Sequence, residues 1–269
     1  MKVMVVGLGL IGGSILKALK GTGYEVYGYD INDEVLDTCF EQGLIVSKLA
    51  ILTEMDIVMV CLYPDAAIEY INMNQDSFKS GAIITDVAGL KVSVMSQLRL
   101  ERDDITFIGG HPMAGKEGCG FEASSKDIFI NANYLLVHEQ ANDVQVEILK
   151  DLIYTLNCGH IQVLDAESHD EIIAYTSHMP HILSTTFMTC DRFEETRHCI
   201  AGSFRDMTRV SDINAELWTE LILENKMPVL DEIKRFKKAL DAFEQYIVEE
   251  DNYAVTKFLG QARLKKRAL

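Results

Sequence analysis

The first thirty residues constrain the fold more than any other stretch of the chain. Met1-Lys-Val-Met-Val-Val6 is a short apolar strand pattern that runs directly into Gly7-Leu8-Gly9-Leu10-Ile11-Gly12, and a helical pattern (Ile15, Leu16, Ala18, Leu19) follows. A second strand pattern, Glu25-Val-Tyr-Gly-Tyr29, ends on Asp30. Each part has a physical task in dinucleotide binding. Gly7 makes the tight turn, Gly9 lets a pyrophosphate approach the backbone, and Gly12 lets the helix pack close to the strand. Leu8, Leu10 and Ile11 join these glycines as expected cofactor-binding positions, because the helix N-terminus offers N–H groups and a positive dipole end. Asp30 lies 18 residues after Gly12 and is suited to accept hydrogen bonds from ribose hydroxyls. A 2′-phosphate would meet like charge there, and no basic residue follows in Ile31-Asn32-Asp33, so NAD is favoured over NADP. The alternative is a tight strand-to-helix turn that holds no ligand.

The chain's 269 residues suit two modest domains. No apolar run reaches the ~18 residues that a membrane span needs. Six scattered cysteines, with no Cys-x-x-Cys pair, read as reduced thiols of a cytoplasmic protein. A formal net charge of −16 argues against nucleic acid or anionic membranes as general partners. Local positive charge must overcome that field if the substrate is an anion.

Strand patterns at 2–6, 25–29, 56–62, 81–86, 105–109, 133–137 and 160–164 alternate with helical stretches near 12–20, 33–42, 66–72, 90–99 and 143–157. This predicts an α/β, doubly wound, Rossmann-type domain over 1–165, with ligands beyond the carboxyl ends of the strands. From 166 to 269 the strand signal fades, and 167–190 and 213–268 read as helical. Val229, Ile233, Phe236, Leu240, Phe243 and Ile247 form an apolar stripe with charged residues opposite. The stripe serves either packing within its own all-helical domain or a homodimer interface, with the second slightly favoured.

Three clusters carry the polar chemistry. Gly109-Gly110-His111-Pro112 places a His at the end of a sheet strand, facing the expected crevice, with Pro112 and the glycines fixing an unusual backbone. A neutral imidazole suits a general base for a hydroxyl proton; the alternative is a His satisfied by local backbone. Ser177-His178-Met179-Pro180-His181 sets two His three apart, which resembles a metal pair, but only His169 lies near as a third ligand and no metal is expected. Phe204-Arg205-Asp206-Met207-Thr208-Arg209 sets two Arg four apart. In so acidic a chain this points to carboxylate recognition, or else to surface or interdomain salt bridges.

Taken in order, these strings resemble the prephenate dehydrogenase family, including its arogenate-using members. The likeness runs through Gly7-Leu-Gly-Leu-Ile-Gly-Gly-Ser14, Thr85-Asp86-Val87, His111-Pro-Met-Ala-Gly-Lys-Glu117, His169-Asp170, Ser177-His-Met-Pro-His181, Phe204-Arg-Asp-Met-Thr-Arg209, and Ser211-Asp212 before Trp218. It implies NAD-dependent oxidative decarboxylation of prephenate, or the same chemistry on arogenate, by a dinucleotide-binding domain and a helical substrate and dimerisation domain. His111 would be the catalytic base. His181, with His178, would hold substrate, Arg209 would bind a substrate carboxylate, and Arg205 and Asp206 would line the site. Glu117 would sit at its rim, and Asp86 would join the cofactor-binding residues. One departure stands out. Many members carry a Ser shortly after the Asp-Val pair, hydrogen-bonded near the catalytic His; here Gly89 takes its place, so another group must do that work. More distant alternatives are a β-hydroxyacid dehydrogenase or imine reductase, which rely on a helical-domain Lys, and a non-catalytic NAD-binding sensor.

Overall fold

A computed structural model describes residues 1–116, 118–190 and 193–268. The chain divides into two compact units, Met1–Asp170 and Glu171–Leu269. The first unit runs β1 (Lys2–Val6), α1 (Leu10–Leu19), β2 (Glu25–Tyr29), α2 (Asp33–Glu41), β3 (Ile57–Val60), α3 (Pro64–Asn74), β4 (Ile83–Asp86), α4 (Val92–Gln97), β5 (Thr106–Phe107), β6 (Gly109–Pro112), β7 (Tyr134–Val137), α5 (Asp143–Thr155) and β8 (Ile161–Leu164).

Five strands form a parallel sheet in the order β2-β1-β3-β4-β5. Strand alternation assigns its faces. Val3 and Val5 of β1 join a core with α1, α2 and α5, whereas Met4 and Val6 join a second core with α3 and α4. Burial on both faces is why these strands read as nearly unbroken Val, Ile and Met. The strand order reverses between β1 and β3, so the loops after these strands diverge and leave a crevice between them.

The expected single strand at 105–109 is two strands in two sheets. β5 ends at Phe107, Ile108 donates to the Ile84 carbonyl, and β6 then pairs antiparallel with β7, which pairs parallel with β8. His111 therefore lies within β6, opposite Leu135, and not beyond the end of a parallel strand. The glycines before it serve close approach, since neither has positive φ. A Cβ on Gly110 would come 2.6 Å from the Asp86 carbonyl oxygen, and one on Gly109 would come 2.9 Å from Lys91 Cδ. Pro112 sits on an edge strand, where a missing N–H is tolerated.

α6 (Ala166–Ile173) spans the division between the units. The division falls after Asp170, whose carboxylate accepts from the Lys91 and Val92 N–H groups at the start of α4. The second unit continues with a π-turn (Ala174–His178), α7 (Met179–Thr189), α8 (Phe193–Thr196), α9 (Gly202–Thr208), α10 (Ala215–Glu224), α11 (Lys226–Val248) and α12 (Asn252–Arg267). The continuous runs expected at 167–190 and 213–268 are thus interrupted. Pro180, in the first turn of α7, has no N–H for the carbonyl of Thr176, and the backbone widens there into the π-turn. Pro228 would likewise clash with the Glu224 carbonyl in a continuous helix, so α10 ends at Glu224 and α11 begins at Lys226. Glu250 takes positive φ, and Asp251 then caps α12 by accepting from Ala254 N–H.

The stripe on α11 is buried only at Val229. Phe243 meets the Phe258 ring at 4.9 Å, but Phe236, Leu240 and Ile247 are 40%, 54% and 58% exposed. Among the described residues no helix is long and apolar enough to cross a membrane.

Candidate active site

The turn between β1 and α1 has the form a dinucleotide requires. Gly7 takes φ +84°, and a Cβ there would lie 2.6 Å from the Cys61 carbonyl oxygen. A Cβ on Gly12 would run into the Gly7 carbonyl, so this glycine sets the approach of helix to strand. Gly9 differs: a Cβ there meets nothing within 4 Å. It caps α1 without a side chain, and no acidic residue occupies the first turn of the helix. Open space, helix N–H groups and a first turn without acidic side chains fit a pyrophosphate. Asp30 follows β2 and accepts from Leu8 N–H at 2.7 Å and Asn32 N–H at 2.9 Å, so its carboxylate is anchored beside the turn. Leu8 is buried, and Leu10 and Ile11 are half-buried in the first turn of α1.

These contacts separate folding from binding. Gly9→Ala is expected to leave thermal stability within ~0.5 kcal/mol while weakening cofactor binding about tenfold or more, or at least ~1.4 kcal/mol. Calorimetric titration with NAD checks this, and unchanged affinity would remove Gly9 from the cofactor site.

His111 is half-buried on β6, with its Nδ1 3.0 Å from Nε2 of His169. His169 is fully buried, and its Nδ1 lies 2.7 Å from Asp170 Oδ1. Asp170 in turn accepts from Lys91 N–H at 2.8 Å and Val92 N–H at 3.0 Å. The Lys91 ammonium donates to Asp86 Oδ2 at 2.6 Å and to the Ala88 carbonyl at 2.8 Å. Asp86 closes the circuit by accepting from Gly110 N–H at 2.9 Å, next to His111. Burial pulls the Lys91 ammonium below the usual lysine range, and the Asp86 carboxylate opposes that pull.

Asp86 was expected among the cofactor-binding residues. Its side chain is 1% exposed and holds Lys91, Ala88 N–H and Gly110 N–H, so its carboxylate supports the backbone under His111. Sequence reasoning weighed His169 only as a third ligand beside the His178/His181 pair, quoted His169-Asp170 among the family strings without a role, and gave Lys91 no role. The Asp86/Lys91 spacing across a glycine turn was a usable signal for the ion pair. Nothing local links His111 to a residue 58 positions away.

The second unit gathers its own set. The His181 ring stacks on Trp218, centroids 3.7 Å apart, and its Nδ1 lies 2.8 Å from the Ser177 carbonyl oxygen. His178 approaches the same indole edge-on at 6.0 Å. It is 1% exposed, with Asn225 Nδ2 3.4 Å from its Nδ1. These contacts pack it against Trp218 and Asn225. Both rings thus face one indole, and among the described residues no cluster of three or more His, Cys, Asp or Glu could hold a metal ion. Arg205, Asp206 and Arg209 are exposed on α9 and the turn after it. Among the described residues neither Arg forms an ion pair, so the salt-bridge alternative gains no partner there. Glu117 lies outside the described residues.

Two family models match this chain: "Prephenate dehydrogenase, nucleotide-binding domain" over residues 15–162, and "Prephenate dehydrogenase, dimerization domain" over residues 165–261. The chain belongs to the prephenate dehydrogenase family. A prephenate dehydrogenase of Lactococcus lactis is 32% identical over 282 residues, covering 100% of this chain and 77% of that protein. Among solved structures, an Aquifex aeolicus prephenate dehydrogenase in complex with hydroxyphenyl propionate and NAD+ is 25% identical, with TM-score 0.83, covering 100% of this chain and 98% of that one. A Synechocystis arogenate dehydrogenase shares the fold, with TM-score 0.87 at 24% identity, covering 100% of this chain and 99% of that one. The rivals that would depend on a helical-domain Lys give way to this family, whose members include enzymes named for prephenate.

Proposed function

We propose that this family member catalyses the NAD-dependent oxidative decarboxylation of prephenate to 4-hydroxyphenylpyruvate. The observation that carries the reading is His111, half-buried and held by a buried His169–Asp170 pair within a nucleotide-binding unit. The open backbone at Gly9 and the anchored carboxylate of Asp30 support NAD as the cofactor. When bound, NAD supplies the hydride acceptor.

The chain's own part is proton transfer and positioning. The substrate carries a hydroxyl at ring carbon C4 and a carboxylate at C1. His111 accepts the hydroxyl proton as C4 becomes a carbonyl. That dienone-like carbonyl is an electron sink into which the C1 carboxylate departs as carbon dioxide, and aromatisation drives the step. His181, its face fixed by Trp218, and Arg209 hold the substrate, Arg209 through a carboxylate. Arg205 and Asp206 line the same region. The exposed apolar stripe of α11 and the dimerization-domain match support a homodimer through the helical unit.

Arg209→Ala is expected to raise KM for prephenate about tenfold or more, since a hydrogen bond between charged groups contributes roughly 1.5–3 kcal/mol. Unchanged KM in steady-state assays would exclude Arg209 from carboxylate binding. The reaction itself is tested by stoichiometry. One NADH, one carbon dioxide and one 4-hydroxyphenylpyruvate per prephenate are expected, and NADH without carbon dioxide would contradict the decarboxylation.

A further inference from the structure

We propose that His169 and Asp170 act as positioning residues that fix the tautomer of His111, making its Nε2 the basic nitrogen. Each Asp170 oxygen accepts a backbone N–H, Oδ1 from Lys91 at 2.8 Å and Oδ2 from Val92 at 3.0 Å. An ionised carboxylate only accepts, so His169 Nδ1, 2.7 Å from Oδ1, must be the donor. A neutral imidazole with its proton on Nδ1 has an accepting Nε2. That nitrogen lies 3.0 Å from His111 Nδ1, which must then carry the hydrogen, leaving the lone pair of His111 on Nε2.

The arrangement follows the logic of a base oriented by a buried acid, with a second imidazole inserted between them. A proton arriving at Nε2 makes His111 an imidazolium whose Nδ1–H already points into His169, and the charge is balanced through His169 by the Asp170 carboxylate. No further proton needs to move. Burial of His169 keeps water from competing for either ring nitrogen. The relay also orients His111 where Gly89 offers no hydroxyl to do so.

The catalytic consequence rests on His111 being the base, as proposed above; the tautomer does not. The first readout is therefore a long-range 1H–15N spectrum of the full-length protein labelled at histidine ring nitrogens, without cofactor or substrate, near pH 8. His111→Asn and His169→Phe spectra supply the assignments. His111 is expected to carry its proton on Nδ1, against the preference of imidazole side chains in water for Nε2–H, and His169 likewise. A His111 protonated on Nε2 in the unsubstituted protein would overturn the proposal, whether or not any variant folds.

The second readout is kinetic. His169→Phe is expected to lower kcat about 10²-fold with KM for NAD unchanged. His169→Gln, whose amide oxygen can accept from His111 Nδ1–H, is expected to restore part of that loss. Equal loss in both variants would reduce His169 to a packing residue. Absence of any turnover together with the expected spectrum would sink the choice of reaction and leave the tautomer assignment intact.

Discussion

His111→Asn is expected to lower kcat on prephenate by about 10²–10⁴-fold, the range that a positioned general base contributes. The substitution suits the site. Asn is smaller than His, so it fits opposite Leu135 on β6, and its amide can still meet His169. It cannot take up a proton near neutral pH. The cofactor turn at Gly7–Gly12 is built by β1 and α1, so NAD affinity should hold while kcat falls. Titration with NAD and steady-state kinetics separate the two quantities. A kcat within threefold of the unsubstituted enzyme would show that another group takes the proton.

Lys91→Met should be the most damaging change for stability. Met keeps a straight chain beneath Gly109, so the packing there survives, but Asp86 loses its counter-ion at 2.6 Å with both side chains 0–1% exposed. Breaking a buried pair by removing one partner typically costs roughly 3–5 kcal/mol, which corresponds to a fall in Tm on the order of 10 °C for a unit of this size. Replacing the second partner as well would remove the stranded charge. It would also orphan Gly110 N–H and Ala88 N–H, which Asp86 accepts, so recovery in Lys91→Met/Asp86→Leu should be incomplete. Thermal unfolding of both variants checks this. A Tm drop below 2 °C for Lys91→Met would mean that water or a shifted neighbour reaches the carboxylate.

The two changes act on one circuit. Asp86 holds Gly110 N–H on one side of His111, and Asp170 holds His169 on the other, while Lys91 serves the first through its ammonium and the second through its backbone N–H. Position along β6 and orientation of the imidazole ring thus depend on the same buried residues. Loss of the Lys91 ammonium should for that reason depress kcat as well as Tm.

What the sequence reveals and hides follows from the range of the interactions. The glycine turn was legible because a strand, a turn and a helix lie in consecutive residues, and Asp30 marks the end of the next strand. Hydrophobic periodicity likewise placed the parallel strands. The role of Gly13 was hidden, because its reason is a close approach to Phe121 and Ser124, more than a hundred residues on. The split at Phe107 was hidden for the same reason: Gly110 permits close approach to Asp86 at the end of β4, and Gly109 to Lys91, which no local pattern encodes. Two of the three breaks in the helical half, at Pro180 and Pro228, carried readable signals that the apolar periodicity running through them masked, whereas the break at Glu250 carried no proline. His178 and His181 read as a pair by spacing, yet the π-turn and Trp218 give them different surroundings. The His169 relay depends on a contact across 58 residues that no local pattern encodes.

The most direct test is NADH formation with prephenate and with arogenate, each supplied with NAD or NADP. Turnover on prephenate with NAD, well above that of the other three combinations, is the expected result. Turnover on arogenate alone would contradict the proposed substrate while keeping the chemistry. Silence on both, with NAD still bound, would contradict the enzymatic reading of His111 and Arg209 altogether.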